Sequence, residues 1–145
     1  MQIQRATREH LEALTPLFNA YRVFYKQKSD TTAAQTFLNE RFEKQDSVIF
    51  LAKDEAGNAV GFTQLYPSFS SVAMKRVYIL NDLFVTPEAR GKQAGTALLE
   101  QAKSFAKEHS ARGLVLETDA DNPAQKLYEK NGWTHDPALH YYWEV

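Results

Sequence analysis

The sequence predicts a single α/β domain: one mixed sheet of about seven strands with helices on both faces. Three observations predict it. The chain has 145 residues, the size of one domain with one core. Strand and helix patterns follow in the order β-α-α-β-β-β-α-β-α-β-β, which calls for helices packed against a mixed sheet. Near the middle, a long strand runs through a glycine-bearing turn into a helix.

Taking the elements in order, residues 2–6 alternate polar and apolar and read as a short strand. Thr7 is placed to cap a helix over residues 8–25, where Leu11, Leu14, Leu17, Phe18 and Tyr21 recur at helical spacing. Pro16 inside it predicts a kink or a break. Ser29-Asp30-Thr31 signals a second helix that carries Ala34, Phe37, Leu38 and Phe42 to about Lys44. Residues 47–53 form an apolar, β-branched strand, Asp54–Asn58 a turn, and 59–66 the returning strand. Residues 67–71 read as a loop and 74–85 as a long strand closed by Pro87. A helix is expected from Gly91 to about Glu108, and a strand over 113–118. Pro123 opens a last helix that Asn131-Gly132 ends, and residues 133–134 and 141–145 read as two closing strands.

Composition excludes several classes of function. There are no cysteines, so disulfides, thiolate metal sites and a cysteine nucleophile are absent. His10, His109, His135 and His140 fall at no metal-ligand spacing, and no metal is expected. Lys and Arg number 17 against 18 Asp and Glu, with no basic run, so no nucleic-acid partner is expected. Neither a signal sequence nor a stretch of ~20 apolar residues is present, which predicts a cytoplasmic protein with no membrane association.

The most informative stretch is Leu80–Leu99, LNDLFVTPEARGKQAGTALL. Amides at the start of a helix have no internal acceptor, and the dipole there is positive. Such a turn suits a pyrophosphate. Gly91 and Gly95 let backbone approach the phosphates, and Arg90 and Lys92 add mobile positive charge. Neither a Walker loop nor a dinucleotide fingerprint is present.

This stretch resembles the acetyl-CoA segment of the GCN5-related N-acetyltransferases, through Leu83-Phe84-Val85, Pro87 and Arg90-Gly91-Lys92-Gln93-Ala94-Gly95. Gln93 stands where the family pattern has its middle glycine. A residue already inside a helix needs no positive φ, so the exchange is expected to be tolerated. The later segment Asn122-Pro123-Ala124 through Tyr128 to Gly132-Trp133 is similar to the family's second motif. The nearest branch on this reading is the diamine (spermidine/spermine) acetyltransferase-like one.

The resemblance implies a splayed sheet, the acyl-CoA N-acyltransferase fold, and acetyl-CoA as cofactor with coenzyme A as product. It implies that the backbone of Leu83, Phe84, Val85 and Thr86 takes the pantetheine arm, with an amide near Phe84 polarising the thioester carbonyl. It implies that Arg90 and the amides of Gly91, Lys92, Gln93, Ala94, Gly95 and Thr96 hold the pyrophosphate. Tyr128 would protonate the departing sulfur, its ordinary pKa near 10 being suited to that task. Asn122 or Asp121 caps the last helix, and Asn122 would also bond the pantetheine amide.

For the general base the sequence leaves alternatives. Many relatives carry glutamate where this chain has Asn81, which takes no proton at neutral pH but can position a water. Asp82, Glu117 and Asp119 lie on neighbouring predicted strands, although alternation sends Asp82 to the face opposite Asn81. Tyr21, Tyr25 and Trp133, with Asp82 or Asp119 as counter-charge, are the candidates for the acceptor site, and Tyr141 and Tyr142 could join them. The expected activity is acetyl transfer to a primary amine of a small molecule, polyamine-like or amino-acid-like, by direct attack in a ternary complex. A protein lysine or N-terminal acetyltransferase and a catalytically silent acyl-CoA-binding module are the alternatives. Relatives often dimerise through their C-terminal strands, where Tyr141, Tyr142 and Trp143 would make an apolar contact.

Overall fold

Along β2 (Val48–Lys53) the side chains alternate between two cores. Val48, Phe50 and Ala52 enter one, Ile49 and Leu51 the other. A strand buried on both faces reads as a continuous apolar run, which is how this segment appears in the sequence. In the computed structural model, which describes residues 1–145, β2 lies inside a five-stranded sheet of order β1-β2-β3-β4-β5. The other strands are β1 (Gln2–Arg5), β3 (Ala59–Ser70), β4 (Lys75–Val85) and β5 (Leu114–Val115). The first four pair antiparallel; β5 runs parallel to β4.

α1 (Leu11–Phe24) and α2 (Thr31–Lys44) cover one face, burying Leu14, Leu17, Phe18 and Leu38 against Ile49, Leu51, Phe62 and Phe84. α3 (Ala94–Glu108) is the crossover from β4 to β5 and covers the other face, with Leu98, Leu99, Ala102 and Phe105 on Phe50, Leu65, Tyr78 and Leu80. α4 (Ala124–Lys130) leans on this second core through Leu127 and Tyr128. Asp30 caps α2 as the sequence predicts, its carboxylate accepting the Ala33 N–H at 3.0 Å. No helix is long and apolar enough to cross a membrane.

Four expectations change. Pro16 does not break α1, which runs through it after a 3-10 turn at Arg8–His10. The one carbonyl left without its amide, that of Glu12, belongs to an exposed residue and stays in reach of water. The loop expected at 67–71 is strand as far as Ser70. β2 ends at the Val48–Leu65 pair, so Pro67 lies where β3 has β4 as its single neighbour and no second ladder needs its missing N–H. The strand expected over 113–118 contracts to Leu114–Val115, paired with Tyr78 and Ile79. Beyond Ile79, β4 therefore has no partner on that side, and the sheet is splayed there.

Finally, the two closing strands do not form, so the sheet has five strands and not about seven. With β5 so short there is no edge on which they could be built. Tyr141, Tyr142 and Trp143 stand exposed at 85%, 82% and 83% in the irregular C-terminal segment.

Candidate active site

The turn after β4 contains a 3-10 turn at Pro87–Ala89, then Arg90 and Gly91, and α3 begins at Ala94, three residues later than the sequence suggests. Its first helical bond runs from the Ala97 N–H to the Gln93 carbonyl. Every amide from Gly91 to Thr96 precedes that bond and has no backbone acceptor. This row of free N–H groups at a helix start fits a pyrophosphate.

One expectation about this turn is corrected. Gln93 is not inside the helix; it is the residue before it, with φ +73°. The family's glycine is therefore replaced at a left-handed position, which costs roughly 1–2 kcal/mol for a residue bearing a Cβ. Gly95 also meets a packing requirement, since a Cβ there would meet Leu127 Cδ2 at 2.9 Å. Gly91 has open space around it but φ +78°, so its need is conformational. Arg90 folds back, its Nε donating to the Val85 carbonyl at 3.1 Å, while Lys92 stays exposed.

In the middle of β4 the register with β3 shifts: Gln64 pairs with Asp82 and Leu65 with Leu80. Asn81 is the extra residue of a β-bulge. Leu80 points to the α3 core, and so do Leu83 and Val85, although simple alternation would separate them. Here alternation fails as a guide, and Asn81 and Asp82 are not on opposite faces. The Asn81 Nδ2 donates to Asp82 Oδ1 at 2.8 Å. Gln64 Nε2 donates to Asp82 Oδ2 at 2.5 Å, and the Thr63 hydroxyl donates to the Asp82 carbonyl at 2.8 Å. Asp82 is 2% exposed, and burial pushes its carboxyl above the usual range, against the opposing pull of Gln64, Asn81 and Tyr21.

Across the cleft, α4 presents Tyr128. Burial, with a smaller effect of Tyr25, pushes its phenol up to about 12. The ring leans on Trp133, 6.1 Å away between centroids, and the hydroxyl has no hydrogen-bond partner in the protein. Pro123, not Asn122, is the residue that caps α4. Asn122 nevertheless satisfies the Ala124 N–H at 2.9 Å, and its Nδ2 donates to the Tyr25 hydroxyl at 3.4 Å. That contact ties the start of α4 to the end of α1.

Two adjoining cavities follow. A cleft of about 430 Å³ lies between Leu83–Val85, the turn at Arg90–Thr96 and α4, and Tyr128 lines it. Beside it a hollow of about 270 Å³ is lined by Phe24, Tyr25, Lys26, Asp119, Asp121, Asn122 and Pro123. Phe24, Tyr25, Asn122 and Pro123 belong to both. Burial and then the Asp119 charge raise the Tyr25 phenol.

The structure thus gathers Leu83–Val85, Arg90–Thr96 (Lys92 apart), Asn122 and Tyr128 in the cleft, and Tyr25 and Asp119 in the hollow. Trp133 lies outside both, behind Tyr128. Tyr21 is set deeper, its hydroxyl donating to the Asn81 carbonyl at 3.1 Å. Sequence reasoning missed Phe24, Asp121, Leu127 and Gln64. The first three sit beside residues it did single out, whereas nothing in the sequence signals that Gln64 faces Asp82 through a bulge.

Residues 11–133 match the Acetyltransferase (GNAT) family. The chain is 50% identical over 143 residues to the uncharacterized N-acetyltransferase YhfO of Bacillus subtilis (strain 168), covering 98% of this chain and 95% of that one. It is 32% identical over 141 residues to a probable acetyltransferase of Haemophilus influenzae, covering 89% and 97%. The crystal structure of a probable acetyltransferase superposes with a TM-score of 0.95 at 44% identity, over 100% of this chain and 98% of that one. The chain belongs to the GNAT family. It is an acetyl-CoA-dependent N-acetyltransferase.

Proposed function

We propose that this enzyme acetylates a primary amine of a small cationic molecule, by direct attack while both substrates are bound. The observation that carries the reading is the hollow beside the cleft. Asp119 and Asp121 outweigh Lys26 there, and Phe24 and Tyr25 offer ring faces. Carboxylates and aromatic faces favour an ammonium. A volume of about 270 Å³ suits a molecule of polyamine or amino-acid size.

Each residue then has a task. The amides of Gly91–Thr96, with Lys92, hold the pyrophosphate, and the unpaired edge of β4 over Leu83–Val85, with Thr86 just past its end, takes the pantetheine arm. Bound acetyl-CoA supplies the thioester whose acetyl carbon accepts the amine nitrogen as the C–S bond breaks. Tyr128 supplies the proton that the departing sulfur takes up. A phenol at about 12 is a weak acid, but a thiolate leaving into the same half-buried cleft gains basicity from the same desolvation. Asn122 holds Tyr25 and α4 together, so the acceptor wall and the proton donor move as one piece.

Release of coenzyme A thiol, measured over a panel of diamines, polyamines, amino acids and lysine peptides, tests the reading. Turnover with small amines, and its loss in Tyr128→Phe, is expected. Binding of acetyl-CoA without turnover on any amine would instead mark a silent binding module.

A further inference from the structure

The hollow beside the cleft carries charge of both signs, and none of it is paired within the protein. Lys26 comes from the end of α1, Asp119 and Asp121 from the turn before α4. No ion pair in the protein includes any of the three. Opposite charges that line one small cavity and do not reach each other are free for a ligand that brings both signs.

The backbone fixes where these charges stand. At the end of α1 the Lys26 N–H donates to the Val23 carbonyl at 2.9 Å and the Gln27 N–H to the Arg22 carbonyl at 3.0 Å. In this closing motif glycine is the usual residue at the left-handed position, and Lys26 occupies it with φ +64°. A long cationic side chain is thus kept at a position whose backbone favours no side chain at all. The loop beyond it is tied back onto α1: the Asp30 N–H donates to Asn19 Oδ1 at 2.8 Å, and Asn19 Nδ2 to the Ser29 hydroxyl at 3.0 Å. On the other rim the Asn122 N–H donates to the Asp119 carbonyl at 3.0 Å, and Gln125 Nε2 to the Ala120 carbonyl at 2.7 Å. The Asn122–Tyr25 bond joins the two rims. A ligand therefore has little backbone to order when it binds.

Between the hollow and the cleft the surface is largely apolar. Phe24 and Tyr25, 51% and 39% exposed, line both cavities, as does Pro123. Such a wall suits a chain of methylenes running from a charged head to an amine in the cleft. A plain diamine fits less well, because its second ammonium would meet Lys26 with like charge. An amino acid that reacts at its α-amine would carry its carboxylate into the cleft with the reacting nitrogen and leave the hollow empty.

We propose that the acceptor is a diamino acid whose zwitterionic head lies in the hollow, carboxylate on Lys26 and α-ammonium on Asp119 and Asp121, and that the amine ending its side chain is the one acetylated. The proposal rests on the amine-acetylating reading given above and names its substrate class. A neutral side-chain amine and the thioester give amide and thiol, the proton lost by nitrogen replacing the one that Tyr128 gives to sulfur. Lys26 holds the acceptor and takes no part in making or breaking bonds, so it determines specificity.

The test measures kcat and KM with acetyl-CoA for lysine, lysine amide, Nα-acetyl-lysine and the matching diamine, and again for the ornithine series, with the acetylated nitrogen identified by fragmentation mass spectrometry. In wild type the intact diamino acid should exceed each of the other three by about fivefold in kcat/KM, through KM, and high salt should shrink that advantage. Lys26→Gly removes the charge and suits the left-handed backbone, so the chain stays folded. It should abolish the advantage of the diamino acid over its amide, and Lys26→Arg should keep it. Asp119→Asn combined with Asp121→Asn should abolish the advantage over the Nα-acetyl form. Acetylation at the α-nitrogen, a wild type that prefers the diamine, or a Lys26→Gly protein that still prefers a free carboxylate would each overturn the proposal and leave amine acetylation standing. A wild type that acetylates no amine removes both. If thermal melts show the double aspartate variant unfolded, the two Lys26 variants decide the matter.

Discussion

At position 128 a phenol sits in the cleft with its hydroxyl free, and burial keeps it protonated far above neutral pH. Tyr128→Phe removes that hydroxyl and nothing else. We expect kcat to fall about 10²–10⁴-fold, the usual range for a lost proton donor, with the affinity for coenzyme A within about twofold of wild type. Steady-state kinetics alongside calorimetry with coenzyme A separates the two. Position 93 carries the opposite kind of prediction, a gain. Gln93 has a left-handed backbone, φ +73°, with no side-chain cap bond in return. Gln93→Gly relieves that strain, partly offset by the greater freedom of glycine in the unfolded chain. The expected result is a thermal midpoint raised by about 2–4 °C, the shift that ~1 kcal/mol produces in a protein of this size. A lower midpoint would mean that the Gln93 side chain contributes contacts outweighing the strain. The identity of these two residues was plain in the sequence. The conformation at 93 was not, because whether a helix opens at Gly91 or at Ala94 is a matter of backbone geometry that composition does not fix.

α4 is a short helix whose position is set from three sides. Asn122 reaches Tyr25 at its start, and Asn131 at its end donates to the Thr96 hydroxyl at 3.3 Å while its carbonyl accepts from Lys103. Between them Leu127 fills the space that Gly95 leaves open. Gly95→Ala therefore presses on α4 and through it on Tyr128. Because Leu127 Cδ2 is the end of a flexible side chain, the fold should survive and only the placement of α4 should change. We expect kcat to fall severalfold with coenzyme A affinity nearly unchanged, and Leu127→Ala in the same chain to restore part of the loss, since the two sites share one contact. Additive losses in the double variant would show that the contact does not position Tyr128. Elements of this kind were legible where pattern and length agreed, as in β2, α2 and the body of α3. Legibility failed where tertiary pairing decides. The bulge at Asn81 depends on register with β3, and the strands expected after Trp133 depend on an edge that a two-residue β5 does not offer. Pro67 misled because the rule against proline in strands loses its force on a stretch with a single neighbour.

For the molecule as a whole, the buried carboxylate sets a dependence of stability on pH that runs against the common direction. Asp82 has its folded-state pKa raised by burial above the ordinary ~3.9 of an aspartate in the unfolded chain. Between those two values the folded protein holds a proton that the unfolded chain has released. Unfolding free energy therefore falls as pH rises through that interval. The contribution is full below the ordinary value and is lost once pH passes the raised one. Other carboxylates act oppositely. The Lys44 hydrogen bond lowers Glu40, and the Asn58 backbone bond lowers Asp54, so their contributions are present above the ordinary carboxylate range and lost on acidification. Both are fully exposed and their effect is small, and both remain in an Asp82→Asn variant, so they cancel in a comparison. Urea midpoints for wild type and Asp82→Asn, taken from pH 3 to pH 8, isolate the term. The stability of wild type relative to the variant should be greatest at the acid end and decline as pH rises beyond ~3.9, then level off. A difference that grows with pH would mean that Asp82 is more comfortable ionised than neutral, and a flat one that its pKa is the same folded and unfolded.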